Sequence, residues 1–548
     1  MTDNKETEES ENLTGQPREH LNSVAFNYLH LDADKVLSAY GKYGNMQMLA
    51  YLITTSVQML FAVNVMVMPF ITTTPSFECD FEPEPSWKYN IIDSCTIQDG
   101  NNWTLSCLQV PGAKYTYNQT NEVTSINSEF DLVCDHESAV AHGTSVFMLG
   151  GMLVSPLITQ LSDLFGRRLT FLVPLYIAVI SNITCAFAPT FYIFLFCRFI
   201  SGVATTSFSI IGSVLCMESV ALEFRSLIPT VATITWVIGY ILAGILQVFI
   251  KDWRWLYFAI SVPGTLTIPF YWFTPESLHW LITKKKDNHV RKFIKTCSKF
   301  NNREISLSEC KTSSAFADVE SKRTFLDVFL NPQILIHLLL NAYILMIMNG
   351  TYWALSLFST ELSEDGITGY FLSGFIELPA GLLSVVLLVC FNRKTVSFVA
   401  LVMQATFMLM ALYLPVSDNV KMVFPLLAKS CNTIVWSSQP LLYSESVPTS
   451  IRNVFCGIVS FLGDLGSVAA PYLKTLESFH KNGPQILIAS MSIVAALFVL
   501  LLPETKGKKL PEDINDFEGG PILRRFRKGF RAAPSEESVP LEEVKVDE

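Results

Sequence analysis

The sequence predicts an all-α membrane protein of twelve spanning helices arranged as two halves of six. Three observations predict it. Only 16% of the 548 residues are charged and 50% are hydrophobic, with a mean hydropathy of +0.36, whereas soluble domains carry about a quarter charged residues. Apolar runs recur at the length of about 20 helical residues that crosses a ~30 Å hydrocarbon core. One short pattern, E-S-V-x-x-x-x-R, occurs twice, at Glu218–Arg225 and Glu445–Arg452, six spans apart. Open sheets are excluded, because lipid leaves their edges unsatisfied.

Taken in order, residues 1–45 form a polar, acidic tail without a cleavable signal pattern, so the first span acts as the insertion signal. The spans run at about 46–70, 138–162, 169–189, 191–217, 227–250, 254–274, 334–358, 366–391, 395–415, 420–444, 453–475 and 483–503. They divide the chain into a first half (46–274), a central loop (275–333), a second half (334–503) and a tail (504–548). Paired halves of this kind belong to alternating-access transporters, whose site lies near the midplane between them.

Charge sets the orientation. Segment 71–137 holds eleven Asp and Glu against Lys88 and Lys114, while 275–333 holds eleven Lys and Arg. The turns Gly166-Arg167-Arg168 and Asn392-Arg393-Lys394 are basic as well. The positive-inside rule places these basic stretches and both termini in the cytosol, and 71–137 outside. That outer loop carries Cys79, Cys95, Cys107 and Cys134, enough for two disulfides in any of three pairings. It also carries the glycosylation patterns at Asn102 and Asn118.

Charged side chains within the spans are the functional candidates, since each costs about 2.5–3.5 kcal/mol at a helix centre on insertion scales. Glu377, Lys429 and Asp464 stand out. Asp464 lies on a small and polar stripe, Gly457, Ser460, Asp464, Ser467 and Pro471, at helical spacing. Such a stripe admits either a substrate or a neighbouring helix. Asp464 is expected to be the counter-charge of a cationic substrate, with an internal pair to Lys429 as the alternative. At the cytosolic mouth, Asp163, Arg167, Arg168 and the pairs Glu218/Arg225 and Glu445/Arg452 are expected to form ion pairs that hold an inner gate shut.

SerAspLeuPheGlyArgArg (162–168), ProGluSerLeuHisTrpLeu (275–281) and ProGluThrLysGly (503–507) resemble motifs of the major facilitator superfamily. The cysteine-bearing loop after the first span, closed by GluPheAspLeuValCys (129–134), resembles that of its organic ion transporters. Thr159 and Leu164 stand where the superfamily's signature loop usually has Gly and Arg. The resemblance implies a plasma-membrane carrier of organic cations, anions or zwitterions, with a substrate site in the central cavity. Asp464 and Glu377 match acidic positions of the cation carriers, and Phe61, Trp236, Tyr352 and Trp436 match cavity-facing aromatics. Ring faces suit an ammonium, which they attract by ~0.5–2 kcal/mol.

The sequence holds no metal cluster, no phosphate-binding glycine loop and no nucleophile–base set, so no cofactor, nucleic acid or enzymatic reaction is expected. The expected partners are a small organic cation and the lipid bilayer. An anion or zwitterion carrier of the same fold, or a non-transporting receptor or scaffold, are the alternatives.

Overall fold

The computed structural model describes residues 30–80, 89–91, 93–99, 104–109, 113–117, 124–306, 310, 326–508, 511, 517 and 520. Asn102 and Asn118 lie outside the described residues. The long helices of the first half are α1 (Asn45–Met66), α2 (Val140–Phe165), α3 (Arg167–Ala186), α4 (Phe191–Ser219), α5 (Ile228–Phe249) and α6 (Trp253–Phe273). Those of the second are α7 (Pro332–Leu357), α8 (Ile367–Cys390), α9 (Arg393–Tyr413), α10 (Val423–Ser446), α11 (Arg452–Ala469) and α12 (Gly483–Leu501).

Their ends follow from local chemistry. Asn331 caps α7 by accepting from the Gln333 N–H, with Pro332 as the first helical residue. Gly166, at φ +101°, makes the sharp turn between α2 and α3. Pro379 offers no N–H to the preceding turn, and α8 bends at Ile376 into Ile367–Phe375 and Glu377–Cys390.

Eleven segments among the described residues are long and apolar enough to cross a membrane. The expected tenth span forms as α10 but is not among them, because it is polar along its length. Its buried polar groups face neighbouring helices instead of lipid. Asn432 Nδ2 donates to Thr351 Oγ1 of α7 at 2.6 Å and to Gln404 Oε1 of α9 at 3.1 Å. Gln439 Nε2 donates to Asn341 Oδ1 at 3.0 Å, and the Ser397 and Ser438 hydroxyls bond at 2.7 Å.

Between α1 and α2 lie two small antiparallel sheets. One pairs β1 (Phe77–Asp80) with β5 (Lys114–Tyr117); the other runs β2 (Tyr89–Ile91), β3 (Thr96–Asp99), β4 (Thr104–Ser106). Disulfides join Cys79 to Cys107 and Cys95 to Cys134. Glu129 ties this region to α6 by pairing with Arg254 and accepting from Trp253 Nε1 at 2.7 Å.

The opposite, arginine-rich face carries short helices, Ala33–Ala39, Leu278–Thr283 and Asp287–Asn301, packed on one another through Val36, Leu37, Trp280 and Ile294. A buried apolar cluster joins the two halves towards the disulfide-bearing face, with Met66, Phe70 and Tyr240 from the first half and Tyr352, Trp353 and Tyr370 from the second. Within the second half, α7 and α11 touch so closely that a Cβ on Gly466 would collide with the Met346 carbonyl.

Candidate functional site

At the arginine-rich face the two halves repeat one construction. Glu276 Oε1 accepts from the backbone N–H groups of Arg167 (2.8 Å) and Arg168 (3.1 Å), capping α3. Glu504 accepts from the N–H groups of Arg393 (3.2 Å) and Lys394 (3.0 Å), capping α9. A carboxylate there satisfies orphan donors and meets the positive end of the helix dipole. Arg167 then pairs with Glu218 at the end of α4 (3.2 Å) and with Asp163 (2.6 Å), and Arg393 pairs with Glu445 at the end of α10. Arg168 donates to the Tyr271 carbonyl.

This corrects two expected pairs. Glu218 meets Arg167 and not Arg225; Glu445 meets Arg393 and not Arg452. The duplicated pattern puts each acid at a helix end and each Arg beyond the following turn, and there the Arg faces elsewhere. Arg225 reaches Asp34 of the short helix Ala33–Ala39 at 2.6 Å, and Asp34 also bonds His279 Nε2 at 3.1 Å. Arg452 Nη2 donates to the Val447 carbonyl at 3.2 Å. The Arg167–Glu218 and Arg393–Glu445 pairs each stay within one half, and Arg225–Asp34 ties the first half to the N-terminal tail.

Hydrogen bonds across the halves lie at mid-membrane and nearer the disulfide-bearing face. Ser145 Oγ of α2 donates to the Val468 carbonyl of α11 at 2.8 Å, and Tyr472 bonds His142 Nδ1 at 3.0 Å. Tyr370 of α8 donates to the Tyr240 carbonyl at 2.8 Å and to the Met66 carbonyl at 3.1 Å. Towards the other face, Gly457 of α11 has nothing within 4 Å of where a side chain would start. The contacts between the halves therefore gather towards the disulfide side, while Gly457 leaves open space beside α11 towards the arginine-rich side.

Beside that space, charged and aromatic groups form one network. Lys429 Nζ of α10 lies 2.8 Å from Glu377 Oε1 of α8 and donates to the Ser373 hydroxyl (2.8 Å) and carbonyl (3.1 Å) at the bend. The Tyr352 hydroxyl of α7 donates to Glu377 at 3.0 Å and accepts from Trp236 Nε1 of α5 at 2.8 Å. The ammonium stands 4.6 Å from the Tyr240 ring centre and 5.4 Å from that of Tyr352. Rings of Phe61, Trp353 and Trp436 extend the cluster, at 5.4 Å from Trp236, 5.4 Å from Tyr352 and 5.9 Å from Tyr352. Trp436 is 41% exposed, at the edge of the cluster. Glu377 and Lys429 are buried, and unpairing such a couple by removing one member costs about 3–5 kcal/mol.

Asp464 stands outside that network. The expected alternative pair with Lys429 does not form, because Lys429 is engaged by Glu377 on the neighbouring helix. Asp464 Oδ1 accepts from Asn349 Nδ2 of α7 at 3.1 Å. Among the described residues it has no ion pair, and it is only partly buried. Its stripe divides in two: Ser467 and Pro471 are buried near α2, while Gly457 is exposed and Ser460 half-buried.

The structure adds residues that the sequence reading did not single out. Arg198 of α4 is fully buried, donates to the Gly143 and Asn64 carbonyls (3.2 and 3.4 Å) and to the Tyr257 hydroxyl (2.9 Å), and lies 4.4 Å from the Phe147 ring centre. Its signal was present in the sequence: an arginine inside the apolar run 191–217. Asp34, by contrast, carries no local sign of its partners.

Two rigidly braced halves around a charged aromatic pocket, in a chain that crosses the membrane many times, define a transporter of the major facilitator type. The sugar (and other) transporter family matches residues 96–517. Solute carrier family 22 member 2 of Rattus norvegicus is 31% identical over 74% of this chain and 73% of its own length. The organic cation transporter protein of Drosophila melanogaster is 26% identical over 88% and 94%. Among solved structures, the inward open conformation of the xylose transporter XylE from E. coli superposes with a TM-score of 0.59 at 18% identity, covering 85% of this chain and 99% of that one. This chain belongs to the sugar (and other) transporter family of major facilitators and, within it, to the organic ion transporters.

Proposed function

We propose that the protein is a facilitator of small organic cations in the plasma membrane, working by alternating access with Asp464 as the substrate's counter-charge. The observation that carries this reading is the different state of the two intramembrane carboxylates. Glu377 is neutralised by Lys429, whereas Asp464 has no ion pair among the described residues and lies on a face that opens at Gly457. A carboxylate kept unpaired in low dielectric is costly unless a cation comes to it. The same geometry disfavours an anion carrier, since the cavity's ammonium is already engaged. Phe61, Trp236, Tyr352, Trp436 and Ser460 line the substrate path.

The acidic, disulfide-bonded segment faces the outside and the basic connections and both termini face the cytosol. In these terms the conformation described is open to the cytosol, and the membrane potential drives uptake. It supplies about 2.3 kcal/mol per charge per 100 mV, roughly fifty-fold accumulation. An ion pair at ~4 Å in an effective dielectric of about 20 is worth roughly 4 kcal/mol. Replacing Asp464 by Asn therefore lowers tetraethylammonium uptake, at sub-saturating concentration, by about two to three orders of magnitude. The measurement is radiotracer uptake with simultaneous current in expressing cells. Normal uptake by D464N at equal surface expression removes Asp464 from the site.

A further inference from the structure

We infer that Lys429 is a tethered cation that fills the second anionic position of the cavity, Glu377, and thereby restricts the carrier to substrates with a single positive charge. The inference rests on Asp464 being the substrate's counter-charge.

The surroundings of the Lys429 ammonium are those a substrate ammonium would require. It has a carboxylate at 2.8 Å, a hydroxyl at 2.8 Å and two tyrosine ring centres at 4.6 and 5.4 Å. A carboxylate combined with ring faces is a cation site, and here the chain supplies its own occupant. That occupant stands just behind the cavity wall, because Tyr352, which bonds Glu377, packs its ring on the exposed Trp436. Two carboxylates and one ammonium leave the pocket with one net negative charge. Among the described residues the other buried cation, Arg198, does not enter this balance, since its bonds go to Gly143, Asn64 and Tyr257 inside the first half. A substrate with one positive charge neutralises the pocket. A second positive charge on the substrate would bring an ammonium or pyridinium towards Lys429 with no free acid to receive it.

The test compares two probes of one skeleton, methyl viologen, a dication, and its singly methylated bipyridinium analogue, a monocation. Wild-type carrier is expected to take up the monocation and to discriminate against the dication at least tenfold. Lys429→Gln frees Glu377 and raises the dication-to-monocation uptake ratio about tenfold or more. The double variant Glu377→Gln/Lys429→Gln returns the ratio to the wild-type value. A purely structural role for Lys429 would move the single and double variants together, and that result overturns the inference. The swap Glu377→Lys/Lys429→Glu keeps the pair and so keeps the wild-type ratio, which preserves the test if the single variant fails to reach the surface; a swap that gains dication uptake also overturns it. Equal wild-type uptake of both probes refutes the charge restriction while leaving Asp464 in its role. Uptake of neither refutes the cation reading itself.

Discussion

Replacing Trp236 by Phe isolates one hydrogen bond that spans the two halves. The indole N–H of α5 donates to the Tyr352 hydroxyl of α7 at 2.8 Å. Phe keeps an aromatic ring beside Phe61 and Trp353, which lie 5.4 and 6.2 Å from the indole. Tyr352 also keeps its bond to Glu377. A buried neutral hydrogen bond contributes about 1 kcal/mol net, and this one exists only while the halves are apposed as described. Its loss disfavours the present conformation by a factor of roughly five, so a population shared equally between the two orientations falls to about one sixth. The reporter is Gly457→Cys, at a position with open space around it. Labelling by a membrane-impermeant maleimide is read from the arginine-rich face, in a background lacking the exposed Cys390. W236F is expected to cut the labelled fraction about threefold. Unchanged or increased labelling would refute the assignment of this bond to the state open on the arginine-rich side.

Two further predictions concern the scaffold. Glu504→Ala removes the carboxylate that caps α9 at the Arg393 and Lys394 N–H groups, a loss of about 0.5–2 kcal/mol; the purified variant melts several degrees lower, and Glu276→Ala acts in the same direction at α3. Cys95→Ser opens a disulfide whose sequence separation is 39. The chain-entropy estimate for that loop is about 4 kcal/mol, and the expected readout is reduced surface expression, with a shifted band on a non-reducing gel.

How much of this was legible beforehand depends on the range of each interaction. Hydropathy located the spans, including α10, whose lipid-exposed surface is small enough to tolerate Asn432, Ser438 and Gln439. The duplicated E-S-V-x-x-x-x-R pattern located both helix ends correctly but suggested the wrong partners. Linear spacing tells which groups share a helix terminus, whereas the approach of α3 to α4, and of α9 to α10, decides which arginine arrives. The same limit applied to Lys429. Both it and Glu377 stood out as intramembrane charges, but their meeting depends on the bend of α8 at Ile376 and on the packing of α10 against it. Arg198 is readable in the sequence as a charge inside an apolar run. Its neutral-looking setting comes from main-chain carbonyls, which no pattern of side chains announces.

The twin carboxylate braces at Glu276 and Glu504 have a kinetic consequence. Each fastens the segment that follows a half to an arginine turn of that same half, so the reorientation proposed for the carrier leaves both intact. On the proposed alternating-access cycle, the contacts broken and remade are the Trp236–Tyr352 bond and those of the outer seam, where Tyr240, Tyr370, Ser145 and Tyr472 reach across. In that cycle the activation barrier of the empty carrier's return step resides in these contacts. Substitutions there change turnover number, while substitutions among the arginine-rich braces change how much carrier survives to turn over.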